Sequence, residues 1–415
     1  MAPTTSLVIR RRGARSGSLR GHNLALALRC IAVASGQVSR ADISASTGLN
    51  RSTASSLVDE LIGGGLVREL GATARPGVGR PPTALALATD GPGGLGLEVN
   101  VDYVAACVVD LTGTVRYQYV AAQDQRGHTS EEVMGRAARL ARSAFTAIEG
   151  TGLTLRAAAV AVPGLVNRTS GIIALAPNLG WKDLNIVDFL REQPFTAELL
   201  IDNEANFAAV SEAELLKAGQ SYLYVYGDIG VGAGIVLDGE LYRGRNGWSG
   251  EIGHQTIDWD GPACGCGSRG CLEQYAGQDA ILRSAGLPTT AGTALGVGPT
   301  STLLRDRASA GDAQLRQALA RSGTALGVVV AGCLNLLDVD RVVLGGIYRG
   351  LSAWIQPEVE REVAARFAGA RWSQPVIAAA TYGAEAPALG AARSVVRGII
   401  NDPLRWLTMG AVTWP

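Results

Sequence analysis

Residues Gly253–Cys271 read GHQTIDWDGPACGCGSRGC. They hold one histidine and three cysteines, in a chain that has only three histidines and six cysteines in all. His254, Cys264, Cys266 and Cys271 offer one imidazole and three thiolates, the soft donor set that closes a tetrahedral zinc site. With four protein ligands no position is left for a catalytic water, so one structural Zn2+ per chain is expected, pinning a loop rather than doing chemistry. The other cysteines, Cys30, Cys107 and Cys333, each stand alone in an apolar run and read as small buried hydrophobes.

The rest of the chain supplies ample core material. Apolar residues make up 47% and charged residues 18%, and with 415 residues this suggests two to four domains. No apolar run looks long enough to span a bilayer, and the start, MAPTTSLVIRRRGARSG, lacks the apolar centre of a secretory signal. A cytoplasmic location and no membrane partner are expected. Thiols stay reduced there, which favours metal ligation over disulfides. Formal net charge is zero, yet residues 1–90 carry eleven Arg and no Lys against five Asp or Glu. A basic end on a mildly acidic body points to a polyanion that meets that end alone.

The basic end has its own pattern. Residues 1–18 are polar, Arg-rich and aperiodic, and read as a disordered arm. Leu24, Ala27, Leu28, Ile31 and Ala32 follow at helical spacing. Ser39 can cap a second helix, Gly48 supplies a turn, and Asn50 can cap a third, RSTASSLVDELIGGG. Ala54, Leu57, Val58 and Leu61 form its inward stripe, leaving Ser52, Ser55 and Ser56 on the opposite face with Arg51 at the start. Leu66–Leu70 and Thr83–Leu87 read as two strands joined by a Gly/Pro/Arg loop that contains Arg75 and Arg80. Helices, hairpin and charge together predict a winged helix-turn-helix over residues 19–90. Arg51, Ser52, Ser55 and Ser56 would face the major groove, and Arg75 and Arg80 would lie on the wing.

From about residue 91 strands alternate with helices, giving an α/β body of two lobes. Its motifs occur in a fixed order: VPGLVN, APNLGW, DNEANFAAVSEAELL, then Gly247–Ala276 (GWSGEIGHQTIDWDGPACGCGSRGCLEQYA), then LLDVDRVVLGGI. Together with the N-terminal winged helix, this series resembles the ROK family of repressors and sugar kinases across residues 20–395. The resemblance implies an actin-like, duplicated RNase H-like body of the ATPase type over residues 91–415. One lobe would cover about 91–205 with the C-terminal helix, the other 206–390, with a sugar in the cleft between them. It also implies that Asn178, Asn203 and Glu204 complete a sugar pocket. Glu251, His254 and Glu273 sit on or beside the cysteine loop. Carboxylates and an imidazole held on one rigid loop suit a polyhydroxylated ligand, with zinc fixing the tautomer of His254 and leaving its second nitrogen free.

Kinases of this family open with an Asp followed by a Gly-Gly-Thr phosphate loop. Here the corresponding stretch is LGLEVNVDYVAA, in which Glu98, Asn100 and Asp102 stand where glycine is mostly required, and extra carboxylates repel phosphate. The catalytic base of the kinases falls at Glu204, one methylene longer than their Asp. The expected protein is therefore a sugar-responsive, non-enzymatic transcriptional regulator, most simply a repressor, bound to a two-fold operator as a homodimer or homotetramer. Two alternatives stand beside it: an ATP-dependent hexose kinase, and a regulator sequestered by a membrane transporter component.

Overall fold

The computed structural model describes residues 16–34, 36, 38–72, 83–186, 198–216, 219–289 and 297–408. They divide into two compact units: the chain up to Gly91 together with the segment from Arg397, and the intervening Pro92–Val396.

The smaller unit is built on three helices, α1 (Ser16–Ala34), α2 (Arg40–Thr47) and α3 (Arg51–Gly63). Local chemistry sets their ends. Ser39 forms a reciprocal capping box with Asp42, Gly48 ends α2 in the left-handed region at φ 72°, and Asn50 accepts the Thr53 N–H at 2.8 Å. Leu24, Ala27, Leu28 and Ile31 of α1 are buried, as are Ala54, Leu57, Val58 and Leu61 of α3. Ala32 is only half-buried, because the inward stripe of α1 leans toward Ala25. Strands β1 (Val67–Ala72) and β2 (Thr83–Leu87) pair antiparallel, and Val38 adds a short bridge to Leu85. Three boundaries differ from the sequence reading. Helix α1 begins at Ser16, inside the stretch read as an arm, whose remaining residues 1–15 lie outside the described residues. Leu66 is not in β1, since its N–H closes the helix end on the Leu61 carbonyl at 2.9 Å. The third concerns the short helix Pro403–Thr408, which sequence placed with the large body. It belongs to the small unit, where a Cβ on Gly64 would lie 1.8 Å from Leu407 and Trp406 is 5% exposed.

The larger unit contains two five-stranded sheets of the same topology. The first is ordered β10-β6-β3-β4-β5, from strands β3 (Pro92–Val99), β4 (Tyr103–Asp110), β5 (Val115–Ala122), β6 (Thr154–Val162) and β10 (Glu198–Asn203). The second is β13-β12-β11-β14-β15, from β11 (Tyr222–Gly227), β12 (Val231–Leu237), β13 (Glu240–Tyr242), β14 (Arg341–Gly346) and β15 (Val376–Ala379). In each, an antiparallel meander of three strands is extended from its first strand by two parallel ones. That repetition is the duplicated architecture. Both parallel edges need covering helices, which explains the apolar texture of β6 and the apolar, glycine-bearing texture of β3 and β14. Helix α4 (Ser130–Ile148) buries Val133, Met134, Ala137, Ala141 and Ala144 on the first sheet. Helix α11 (Ala386–Asn401) returns to that sheet so closely that a Cβ on Gly96 would fall 1.9 Å from the Ala388 carbonyl.

Helix α9 (Ala313–Leu337) packs with α10 (Ile347–Arg366) beside the second sheet. Contrary to the sequence reading, α9 is long and apolar enough to cross a bilayer by length and composition alone, and 61% of its apolar window is buried inside the body. Burial against α10 accounts for that apolarity, with Gly323 and Gly327 letting Glu358 and Glu362 of α10 approach.

Candidate metal centre and ligand pocket

Strand β13 leads through Gly250 into a single 3-10 turn, Ile252–His254, and then into the cysteine loop. The loop folds as a small knuckle, held by Cys264 N–H to the Ser268 carbonyl at 2.8 Å and by bridges Thr256–Cys271 and Ala263–Arg269. Its turns gather one donor atom from each of His254, Cys264, Cys266 and Cys271 within 4.8 Å of one another. Cys266 Sγ and Cys271 Sγ are 3.7 Å apart, as are Cys264 Sγ and His254 Nδ1. A disulfide needs about 2.05 Å, so the cysteines are not paired. A tetrahedron with metal–sulfur arms of about 2.3 Å has edges near 3.75 Å, so the spacing fits one tetrahedral cation. Burial and the neighbouring thiols push Cys271 up to about 12, a cost that a divalent cation at the centre removes by taking the thiolate as ligand. The ring of His254 presents Nδ1 to this cluster and Nε2 to the other side, 4.0 Å from Glu251.

That other side is a polar pocket with about 580 Å³ of empty space, open solvent included. All six residues expected at a sugar pocket, Asn178, Asn203, Glu204, Glu251, His254 and Glu273, lie on its wall. Different elements bring them there. Asn178 sits in the 3-10 turn Pro177–Leu179, Glu204 opens helix α5 (Glu204–Ala213), and Glu273 opens the one-turn helix α6 (Glu273–Ala276) directly after Cys271. Asn203 is partly spent on structure: its carbonyl caps α5 at Ala205 N–H, 2.8 Å, and its amide donates to the Gly164 carbonyl at 3.0 Å. At Gly230 a Cβ would stand 2.6 Å from Glu273 Oε2 and 3.4 Å from Asn178 Nδ2, so only glycine lets these two side chains share that wall. Burial, then Glu273, pushes Glu251 up to about 7, and burial lowers the neutral-to-charged transition of His254. Glu204 is raised well above the carboxylate range by burial and then by Asp228.

Sequence reasoning missed Asp228, which also lines the cavity, and did not foresee what Asn100 does there. Asn100 Nδ2 donates to Asp228 Oδ2 at 2.6 Å and to Glu98 Oε1 at 3.3 Å, while Tyr103 donates its hydroxyl to the same Glu98 oxygen at 2.5 Å. Glu98 and Asp102 are fully buried, and among the described residues Glu98 Oε2 and both Asp102 oxygens have no hydrogen-bond partner of ordinary geometry. Burial pushes Glu98 up to about 8, Asp102 to about 9 with help from Asp228, and Asp228 to about 6. The signal for Asp228 was present in GDIGVGAG, an acid at a strand end ahead of a glycine run, but the glycines drew the reading. Asp202 was missed likewise. It is fully buried and accepts from Arg243 at 2.7 Å and Asn206 at 2.8 Å, bracing the start of α5.

A profile of the ROK family matches residues 94–397. The chain belongs to the ROK family. An IclR helix-turn-helix domain profile matches residues 24–71. The xylose repressor of Bacillus spizizenii is 30% identical over 367 residues, which cover 88% of this chain and 92% of that protein. Among solved structures, a ROK family transcriptional regulator, homolog of the E. coli MLC protein, superimposes with a TM-score of 0.76 at 22% identity, over 94% of this chain and all of that one. A ROK family glucokinase from Streptomyces griseus, in complex with glucose and AMPPNP, superimposes at 0.61 and 24% identity over 73% of this chain and 98% of that chain. At these identities the structures establish the shared fold.

In this ROK chain the helix-turn-helix presents Arg51, Ser52 and Ser56 to solvent, with Ser55 half-buried. Asp59, next along the same face, is held by Arg40 at 2.6 Å, which also binds Glu69 of β1. The one acid on that face is thereby neutralised, which suits approach to a phosphate backbone. Arg75 and Arg80 lie outside the described residues.

Proposed function

We propose that this protein is a sugar-responsive transcriptional repressor. It grips operator DNA through α3 and the wing as a homodimer in the cytoplasm, and it binds a neutral sugar in the cavity beside the cysteine loop. The observation that carries the reading is the double-sided position of His254, one ring nitrogen on the cysteine cluster and the other toward a cavity walled by carboxylates and amides. We assign Zn2+ to His254, Cys264, Cys266 and Cys271. When bound, it would fix the tautomer and angle of His254, so that Nε2 can bond a hydroxyl. Asn178, Asn203, Glu204, Glu251 and Glu273 supply the remaining donors and acceptors.

Catalysis is disfavoured by the same wall. A general base must be ionised, and burial, with Asp228 close by, raises the Glu204 carboxyl and so works against its ionisation. Where a nucleotide's phosphates would need bare backbone, Glu98 and Asp102 fill the space with buried carboxyls and Asn100 with a buried amide. The likeness to a xylose repressor supports a monosaccharide effector.

Repression is lifted only if sugar and DNA prefer different arrangements of the protein. The deciding experiment is fluorescence anisotropy on the operator with a panel of neutral sugars, xylose first. A sugar that weakens operator binding about 5- to 150-fold is the expected outcome, matching ordinary allosteric coupling of roughly 1–3 kcal/mol. Turnover of ATP with any sugar of the panel at kinase-like rates of about 1 s⁻¹ would replace the repressor reading with the kinase one.

A further inference from the structure

The first lobe carries a second concavity between edge strand β5 and helix α4, with about 780 Å³ of empty space, open solvent included. Alternation along β5 turns Tyr117, Tyr119 and Ala121 to one face, and helical spacing puts Arg136, Arg139, Leu140 and Ser143 on one stripe of α4. Val104, Ala121 and Leu140 make an apolar floor, and the two phenols and two guanidiniums make opposite walls.

Three facts distinguish this groove from ordinary solvated surface. Among the described residues, no Asp or Glu lines it. Arg136 is aimed by its neighbours: it donates to Gln125 Oε1, and its other arm lies 3.2 Å from His128 Nδ1, the atom that Glu132 Oε2, itself outside the groove lining, also approaches at 3.2 Å. Arg139 has no acid one helical turn away in either direction, since positions 135, 136, 142 and 143 are Gly, Arg, Arg and Ser. Tyr119 meanwhile stays 55% exposed, on a strand that ends its sheet. Burial, and the closeness of Tyr119, raise the Tyr117 phenol, and the two rings stand beside each other on this wall.

We infer that this groove is a second small-molecule site, which takes a ring-bearing oxyanion: an aryl or heterocyclic phosphate or carboxylate whose ring lies against Tyr117 and Tyr119 and whose anion meets Arg136 and Arg139. A guanidinium pair binds planar or tetrahedral oxyanions through paired N–H donors, and a tyrosine face over an apolar floor takes a flat ring. The site shares no lining residue with the sugar cavity, and its guanidiniums and phenols differ in chemistry from the acids and amides there.

Isothermal titration calorimetry of the full chain tests this with phenyl phosphate, benzoate and inorganic phosphate, on wild type, Arg139→Gln and Tyr119→Ala. Both substitutions are at exposed positions of α4 and β5, and unchanged melting temperatures check their folds. Phenyl phosphate should bind once per chain. Arg139→Gln should weaken it about tenfold or more, the worth of one charged hydrogen bond. Tyr119→Ala should weaken phenyl phosphate and leave inorganic phosphate as it was. A stronger response to benzoate than to phenyl phosphate would assign the site to carboxylates. No heat with either ring-bearing anion at about 1 mM, or equal affinity in wild type and both variants, overturns the inference.

Discussion

His254 shows how one side chain can serve two masters. Its Nδ1 is 3.7 Å from Cys264 Sγ, and its Nε2 looks into the cavity past Glu251. Cys266→Ser should therefore act on both: elemental analysis should find the bound zinc lost, and sugar affinity should fall although residue 266 does not line the cavity. A variant with full metal content and unaltered sugar response would separate the loop from the pocket. The buried acids make a different prediction. Glu98 and Asp102 titrate near 8 and 9 in the folded chain and near the ordinary carboxylate range when unfolded. The native state thus holds extra protons between these limits. The stability they contribute is complete at low pH and is lost as pH rises through 8 to 9. The melting temperature of the body should fall over pH 6 to 9, at roughly 2–4 °C per kcal/mol for a unit of this size. Glu98→Gln keeps an acceptor for Tyr103 and Asn100 and should flatten that decline. An equal slope in the variant would show that Glu98 is ionised throughout.

At the scale of elements, legibility followed distance along the chain. Ser39, Gly48 and Asn50 were readable because a cap is decided within three or four residues, and the buried stripe of α3 because helical period is local. The cysteine loop was readable because its donors are rare residues in one short stretch. What escaped was long-range. Nothing local announces that Asn100 and Asp228, 128 positions apart, will share a 2.6 Å hydrogen bond, and a buried carboxyl looks like a surface one in sequence. Helix α12 (Pro403–Thr408) was misplaced for the same reason, as pattern alone assigns a tail to its nearest neighbour. Its packing is now testable. Trp406→Ala removes a side chain that is 5% exposed, and truncations of this kind cost about 3–5 kcal/mol. The small unit should melt earlier and operator affinity should drop, although Trp406 is far in sequence from the helix-turn-helix. On α3 itself, Arg51→Ala should weaken operator binding by about 1–3 kcal/mol without changing sugar affinity, and Arg80→Ala, in the sequence between β1 and β2, should do the same if that segment is the proposed wing. Anisotropy titrations that leave DNA binding intact in both would remove α3 and the wing from the interface.

For the whole molecule, the two sheets of identical topology give a sensing body whose cavity draws on both halves, and the small unit gives a head for DNA. Two covalent routes join head and body: the passage from Gly91 to Pro92, and helix α11, which begins in the larger unit and ends in the smaller one. The head consequently needs residues from both flanks of the body's sequence. During synthesis the first ninety residues emerge early, yet the surface of Gly64 waits for Leu407, more than three hundred codons later. A ribosome thus releases a chain whose grip on the promoter matures only after its receptor has been made. Truncated translation products, which could occupy operators without answering to any inducer, are left with an unfinished and weakened head.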